Sequence, residues 1–440
     1  MNKPKILLSI LPLTWPNMPP IGLGYLQAFL AQQGMNADII DYNHVLYTLS
    51  DHQLKKQWSV SCNTFLEKNI LTIIKERHPG ELQYAVEQML SYDVVGFSCF
   101  KSNYETTLMI SEILKTKKHD IKILLGGPEI TRQFFKSNGK FHRRALQAAD
   151  FLIAGEGEVP LTQYLNGNSM YGGIAKFEQL RDLEILPFPM YTGIDLHAYP
   201  KKNTLPLQFS RGCIRRCNFC SERLLYKNFR IRTVKSIIEE IRYHKTLNRI
   251  EYFVFYDSLI NADLNKLEAL CDSIIEHFGS IHWEAQIAVR KDMPRKLFDK
   301  MKKSGCYSLF IGLESASEEV LKKMNKGFTL ENALDFFKVL HQNGLFFGIS
   351  IIVGYPGETE LDFRNSLDCI IRHRDIIPQI AQVNPFTYYD GTPADKEGDY
   401  TVNPAALKRM DIFVHEIKKH TFLHTNAFIG NLMKKNDGST

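Results

Sequence analysis

Short runs of continuously apolar residues, each followed by a helical stretch, recur along most of this chain and restrict what it can fold into. In the first 160 residues the runs are Lys5 to Ile10, Ala37 to Asp41, Asp93 to Ser98, Ile121 to Gly126 and Asp150 to Ala154. Helical stretches follow over Ile21 to Gln33 and from about Tyr104 to Lys115. A strand covered on both faces carries no polar alternation, and a helix between strands returns the chain to the same sheet edge. The pattern predicts a parallel sheet in a doubly wound α/β domain. A second series begins at Leu205 to Phe209 and runs through Tyr252 to Tyr256, Ile281 to Ala288, Leu309 to Leu313, Gly348 to Val353 and Ile380 to Val383. Each of these six strands ends on polar residues, where parallel barrels place their chemistry. Residues 50–90, rich in Lys, Gln and Glu, read as helical surface. The expected division is a domain over 1–165, a linker over 166–204, a second domain over 205–400 and a helical tail over 401–440. The linker rests on Leu186-Pro-Phe-Pro189 and Tyr199-Pro200, because proline fixes φ and discourages helix around it.

The strand at 205–209 feeds Cys213-Ile-Arg-Arg-Cys217-Asn-Phe-Cys220. Three thiolates this close can grip one metal centre. A closed zinc site needs a fourth ligand, which a distant Cys or His would have to supply. A cubane iron–sulfur cluster held by three cysteines leaves one iron open to chelation, and spacing alone leaves both readings standing. The other five cysteines are scattered, mostly among apolar neighbours, so no disulfide framework is indicated and a reducing, cytoplasmic location is expected. No run of 18 apolar residues marks a membrane span. The apolar N-terminus is interrupted by Pro12 and Pro16 and reads as a buried strand, not a signal peptide. The formal charge of +6 is too modest to imply nucleic acid.

In doubly wound sheets ligands sit outside the carboxyl ends of the strands. In the first half those ends carry Ser98 to Asn103 (with Ser102), Gly126, Gly127 and Glu129, and Gly155 and Glu156. A phosphate loop with a lysine and the G-x-G-x-x-G pattern are both missing, which disfavours a dinucleotide. In the second half the polar ends are Asp257 and Ser258, Arg290, Glu314 and Ser315, and Gly354 to Gly357.

C-x3-C-x2-C with an aromatic, Phe219, before the last cysteine resembles the signature of radical S-adenosylmethionine (SAM) enzymes, and the second half is similar throughout to their partial (β/α)6 barrel. Pro19-Pro-Ile-Gly-Leu-Gly-Tyr25, Asp93 to Ser98, Gly126-Gly-Pro-Glu129 and Gly155-Glu-Gly-Glu158 resemble the cobalamin-binding domain fused to many of them. The resemblance implies a 4Fe–4S cluster on Cys213, Cys217 and Cys220, with SAM chelated to the open iron and cleaved reductively to methionine and a 5′-deoxyadenosyl radical. It implies that Glu314 and Ser315 hold SAM, that Asp257 and Ser258 contact its amino end and that Arg290 clamps its carboxylate. Gly354 and Gly357 would pass its adenine, and Phe219 would line the same cofactor. Ser98, Ser102, Asn103, Gly126, Gly127, Glu129, Gly155 and Glu156 would line cobalamin. The activity implied is modification of an unactivated carbon in a small, natural-product-type molecule, most often by methyl transfer. Ring rearrangement, cyclisation or methylthiolation are alternatives within the family, and a non-catalytic cobalamin or metal sensor is an alternative outside it. An external reductant such as flavodoxin or ferredoxin is implied; the basic residues of 211–235 could dock it, or bind the SAM carboxylate, cobalamin side-chain amides or phosphate, or an anionic substrate. The D-x-H-x-x-G motif that supplies an axial histidine is missing; His44, after Asp41-Tyr-Asn, has the wrong spacing. The expectation is base-off, histidine-off cobalamin.

Overall fold

The computed structural model describes residues 3–64, 67–137, 143–168, 173–389, 391–394 and 404–420. The chain divides into two compact units, Met1–Leu205 and Pro206–Thr440.

In chain order the first unit holds β1 (Ile6–Ile10), α1 (Ile21–Gln32), β2 (Ala37–Asp41), α2 (Tyr42–Leu49), α3 (His52–Thr64), α4 (Glu67–Arg77), α5 (Pro79–Leu90), β3 (Val94–Ser98), α6 (Tyr104–Lys117), β4 (Lys122–Gly126), α7 (Pro128–Lys136), α8 (Arg143–Ala148), β5 (Phe151–Gly155), α9 (Glu158–Leu165) and β6 (Ile174–Glu178). The sheet order is β2-β1-β3-β4-β5-β6, and every neighbouring pair is parallel. Alternate residues of each strand serve opposite layers. Leu7, Val95, Phe97 and Leu125 pack with Leu108 and Leu114 of α6, while Ile6, Leu8 and Ile10 pack with Leu23 and Leu30 of α1. The order reverses between β1 and β3, which makes their carboxyl ends the switch point of the sheet.

Two expectations need correction. The stretch 166–204 is no linker: β6 pairs with β5, and Leu180, Leu183 and Leu186 are buried against Tyr25 and Phe29 of α1. Its prolines punctuate a chain that packs on the sheet. Residues 50–90 are more than surface, since Leu54, Trp58 and Ile74 form a small core with Leu13 and Leu46. That core braces the loop after β1, where the Trp58 indole N–H donates to the Thr14 carbonyl at 3.1 Å.

The second unit continues with β7 (Thr204–Leu207), β8 (Ser210–Arg211), α10 (Glu222–Leu225), β9 (Arg230–Ile231), α11 (Val234–Asn248), β10 (Tyr252–Phe255), α12 (Leu264–Phe278), β11 (His282–Ile287), α13 (Arg295–Lys303), β12 (Cys306–Glu314), α14 (Glu318–Lys323), α15 (Leu330–Gln342), β13 (Phe347–Val353), α16 (Glu360–Arg372), β14 (Gln379–Pro385) and α17 (Pro404–Lys418). The main sheet runs β14-β13-β12-β11-β10-β7, six strands of an open barrel. Its helices start where the sequence supplies a cap. Thr233, Asp263, Ser317, Thr329 and Thr359 each accept a backbone N–H of the first turn, which satisfies a donor the helix itself cannot. The expected tail over 401–440 is described only over 404–420, where α17 lies. No helix among the described residues is long and apolar enough to cross a membrane.

Candidate active site

The cysteine loop leaves β7 and returns through β9. Its neck is the short antiparallel pair of β8 and β9, Ser210 facing Ile231 and Arg211 facing Arg230. Below the neck Arg232 and Glu240 form an ion pair of 2.5 Å with both side chains almost fully buried. The loop's far side is fastened to the residues after α14. The Asn218 N–H donates to the Met324 carbonyl at 2.9 Å and its amide to the Lys323 carbonyl at 2.8 Å. Asn325 returns a bond to the Arg216 carbonyl at 2.9 Å. Arg215 reaches the carbonyls of Gly327 (3.0 Å) and Val289 (2.8 Å). Phe219 packs with Val320, Met324, Tyr355 and Phe386.

Cys213, Cys217 and Cys220 are partly exposed and unpaired as disulfides. Burial pushes the Cys220 thiol up to about 12 and the Cys213 thiol in the same direction, and the nearby cysteines add to both shifts. Thiols that burial holds in the neutral form become thiolates when a cationic centre compensates them. Among the described residues no three His, Cys, Asp or Glu side chains converge on one ion position. A cubane does not require that convergence, because each thiolate binds a different iron. The all-sulfur donor set of this loop fits such a cluster.

Glu314 ends β12 with φ +71, a conformation unusual and costly for a residue with a side chain. The carboxylate is buried (8% exposed). It accepts from the Ser350 hydroxyl at 3.0 Å, Ser350 accepts from Gln382 at 3.0 Å, and the Lys326 ammonium stands 3.6 Å away. Burial pushes the Glu314 carboxyl above its ordinary range, and Lys326 and Ser350 pull it back. A Cβ on Gly312 would lie 2.4 Å from the Glu314 carboxylate, so a side chain there would push that carboxylate out of place. Sequence reasoning missed Lys326, Ser350 and Gln382. Only the turn signal of Asn325 and Gly327, both at positive φ, hinted that Lys326 sits in a fixed bend.

Several expected SAM contacts are otherwise engaged. Asp257 accepts from the Phe209 N–H at 3.0 Å and from the Ser210 hydroxyl, so it fastens the root of the cysteine loop. Ser258 donates to Glu222. Arg290 spends its fork on Asp292 and on the carbonyls of Asn261 (2.8 Å) and Ala262 (2.9 Å), leaving no bidentate face for a carboxylate. Gly354 is glycine because Ala406 of α17 would lie 2.3 Å from a Cβ, and Gly357 faces the Lys323 amine, which donates to its carbonyl. Ser315 meets the Ser366 hydroxyl at 3.1 Å. Of the basic stretch, Arg211, Arg215 and Arg232 hold the loop itself.

Burial pushes the Asp257 carboxyl up from its ordinary 3.8 to about 6. The folded chain therefore keeps a proton here that the unfolded chain sheds. This group favours folding at acid pH, and its contribution declines as pH rises from 3.8 through about 6. Near pH 7 the buried charge costs about 3 kcal/mol. Asp257→Asn can still accept from Phe209 and can donate to Ser210. It is expected to raise the melting temperature at pH 7 more than at pH 5 and to leave SAM affinity unchanged. Collapse of SAM binding in a folded Asp257→Asn protein would return Asp257 to the cofactor.

In the first unit the expected cobalamin residues lie at the carboxyl edge of the sheet, and most of them bond to neighbouring loops and helices. Ser102 donates to the Leu13 carbonyl at 2.5 Å, and Asn103 to those of Leu11 (3.1 Å) and Ser98 (3.2 Å). These bonds tie the loops after β1 and β3 together at the switch point. Gly127 (φ +99) would place a Cβ 2.8 Å from the Cys99 carbonyl. Glu129 pairs with Arg132, Glu156 accepts the Leu180 N–H at 2.5 Å, and the Gly155 N–H donates to Thr131 at 2.9 Å. Gly126 has ordinary clearance, 3.6 Å from its would-be Cβ to Ile153. His44 stacks on Tyr199 at 4.0 Å and meets Thr48 at 3.3 Å.

The model of the radical SAM superfamily matches residues 207–370. That part of the chain is a radical SAM domain. The chain is similar in fold to two solved structures. The radical SAM methyltransferase TsrM from Kitasatospora setae, with cobalamin and a [4Fe–4S] cluster bound, superposes with TM-score 0.67 at 14% identity over 90% of this chain and 77% of its own. The cobalamin-dependent S-adenosylmethionine radical enzyme OxsB, with aqua-cobalamin and S-adenosylmethionine bound, gives 0.63 at 17% identity over 94% of this chain and 56% of its own. An uncharacterized methyltransferase of Pyrococcus horikoshii is 27% identical over 400 residues, 85% of this chain and 77% of the relative. The chain thus spans little more than half of OxsB and about three quarters of the other two.

Proposed function

We propose that this chain is a cobalamin-dependent radical SAM enzyme that methylates an unactivated carbon of a small molecule. The observation that carries the reading is the cysteine loop on the first barrel strand, braced through Asn218 and Phe219 against the loop that supplies the counterion of Glu314. Cys213, Cys217 and Cys220 would hold three irons of a cluster and leave the fourth for SAM. Glu314 would accept from the SAM ammonium or ribose hydroxyls. Loops after β1, β3, β4 and β5 would hold cobalamin. When bound, the cluster with SAM supplies a carbon-centred radical, and cobalamin supplies a transferable methyl group. The protein's own part is to hold these groups in register and to keep water from them. The external reductant would be a flavodoxin or ferredoxin in a reducing cytoplasm. Methylthiolation is disfavoured because the enzymes that perform it carry further cluster cysteines in the first domain. Here Cys99 is a core residue whose thiol burial pushes far up, and the Cys62 side chain lies outside the described residues.

Anaerobic reconstitution with iron, sulfide and cobalamin tests the reading. We expect about four irons per chain and reductant-dependent conversion of SAM to 5′-deoxyadenosine. A colourless protein with one zinc per chain, or cobalamin binding with no SAM cleavage, would reject it.

The stacking of His44 on Tyr199, and a β1 loop from Leu11 to Pro20 that contains no histidine, support cobalamin with neither its own base nor a protein imidazole below cobalt. Electron paramagnetic resonance of the cobalt(II) protein should show no axial-nitrogen splitting. A three-line splitting that disappears in His44→Ala would make His44 the ligand.

A further inference from the structure

We propose that Lys326 is a positioning residue for Glu314: its ammonium keeps the Glu314 carboxylate ionised and aimed, and its loop ties that carboxylate to the cysteine loop. The inference rests on the reading of Glu314 as the SAM-binding acid.

A lysine is seldom this buried, at 8% exposed, unless it is paired. Its ammonium stands 3.6 Å from Glu314 and 5.6 Å from the ring centroids of both Phe219 and Phe328, so two aromatic faces share the charge with the carboxylate. At that length the Glu314 contact is an ion pair and not a hydrogen bond. The short bond comes from Ser350, and the nearer carboxylate oxygen keeps acceptor capacity for a ligand. Phe219 immediately precedes Cys220, so one face of the Lys326 charge belongs to the cysteine loop. Asn325 and Gly327, on either side, are at positive φ and hold the bend. The backbone around Lys326 is the strip that accepts from Asn218 and Arg215. Movement of the cysteine loop therefore moves Lys326 and changes the charge state open to Glu314.

The groups facing Glu314 are few. Among the described residues Lys326 is the charged one; β13 brings Ser350 and β14 brings Gln382 behind it, and neither titrates. A buried carboxylate that loses its only counterion takes up a proton, and a protonated Glu314 accepts poorly from an ammonium or a diol.

SAM affinity of the cluster-reconstituted holoenzyme, measured by equilibrium dialysis between pH 6 and pH 9, tests this. The wild-type profile should be flat above neutrality. Lys326→Met should weaken SAM about tenfold at pH 7, as expected for each unit by which the Glu314 pKa climbs, and should recover toward wild type by pH 9. Lys326→Arg should keep the wild-type profile. Unchanged affinity in Lys326→Met, or a loss of the same size at every pH, would overturn the proposal.

Unfolding supplies an arm that needs no SAM. Lys326→Met should lower the melting temperature more at pH 8 than at pH 6, and adding Glu314→Gln should restore part of the loss. Additive losses in the double variant would overturn the pairing even where Lys326→Met fails to load a cluster. A wild-type protein that binds neither cluster nor SAM would instead bring down the functional reading, while the unfolding arm still decides whether the two residues are coupled.

Discussion

Replacing any one of Cys213, Cys217 or Cys220 by Ala is expected to abolish both the iron–sulfur absorbance and SAM cleavage while leaving the chain folded. The three thiols sit on a loop whose position does not depend on them. It is held by the β8–β9 neck, by Asn218 and Asn325 and by Phe219 in its aromatic cluster. Removing a thiol removes a cluster ligand without removing any of these. Far-ultraviolet circular dichroism should therefore match wild type as iron content falls from about four per chain toward none. The contrast is Cys271 and Cys306, both in the core at 0% and 2% exposed. Burial pushes the Cys271 thiol up to about 12, so it behaves as a small apolar side chain. Cys271→Ala should cost about 1 kcal/mol of stability and no iron. A Cys271→Ala protein without cluster beside a Cys220→Ala protein with one would move the metal centre elsewhere.

The largest loss of stability is expected at Glu240. Arg232 is 1% exposed and Glu240 0%. The guanidinium also donates to Ser236 at 2.7 Å, and the Arg232 N–H donates to the Phe209 carbonyl at 2.9 Å. Glu240→Ala leaves that guanidinium buried without its counterion, at a cost of about 3–5 kcal/mol. Whole domains are stable by about 5–15 kcal/mol, so this is a large fraction. Urea unfolding should show the midpoint move with little change in slope. Iron loading should fall with it, because the pair sits under the neck of the cysteine loop. Arg232→Met combined with Glu240→Leu should recover most of the stability, since a packed apolar pair needs no counterion. If Glu240→Ala costs under 1 kcal/mol, water reaches Arg232 and the site is not dry.

The strands and the cysteine loop were legible in the sequence because each is a local property: apolar runs of four to eight residues, or three cysteines in eight. The place of Glu314 at the end of an apolar strand was legible for the same reason. The partners that Asp257, Arg290 and Gly354 have in the structure were not legible, because they are distant in sequence. Asp257 meets Ser210 forty-seven residues earlier, Arg290 meets Asn261 twenty-nine residues earlier, and Gly354 meets Ala406. A polar residue at a strand end satisfies the local pattern whether it faces a ligand or a neighbouring backbone. The segment 166–204 was misread because its prolines suggested a spacer, whereas burial of Leu180, Leu183 and Leu186 depends on Tyr25 and Phe29, more than 150 residues away. Lys326 carried no signal of its own, because burial of one lysine among fifty-four basic residues is decided by what the loop is fastened to.

The fastening of Asn218 to Lys323, 105 residues later, also sets a timetable on the ribosome. Synthesis proceeds at about 5–20 residues per second, so the cysteine loop emerges roughly 5–20 s before the strip that fixes it. Through that interval its thiols lack the enclosure that raises Cys213 and Cys220 and have the reactivity of exposed cysteines toward oxidants. Protection during translation has to come from outside the chain, from a reducing milieu or a chaperone, until residue 327 has been made.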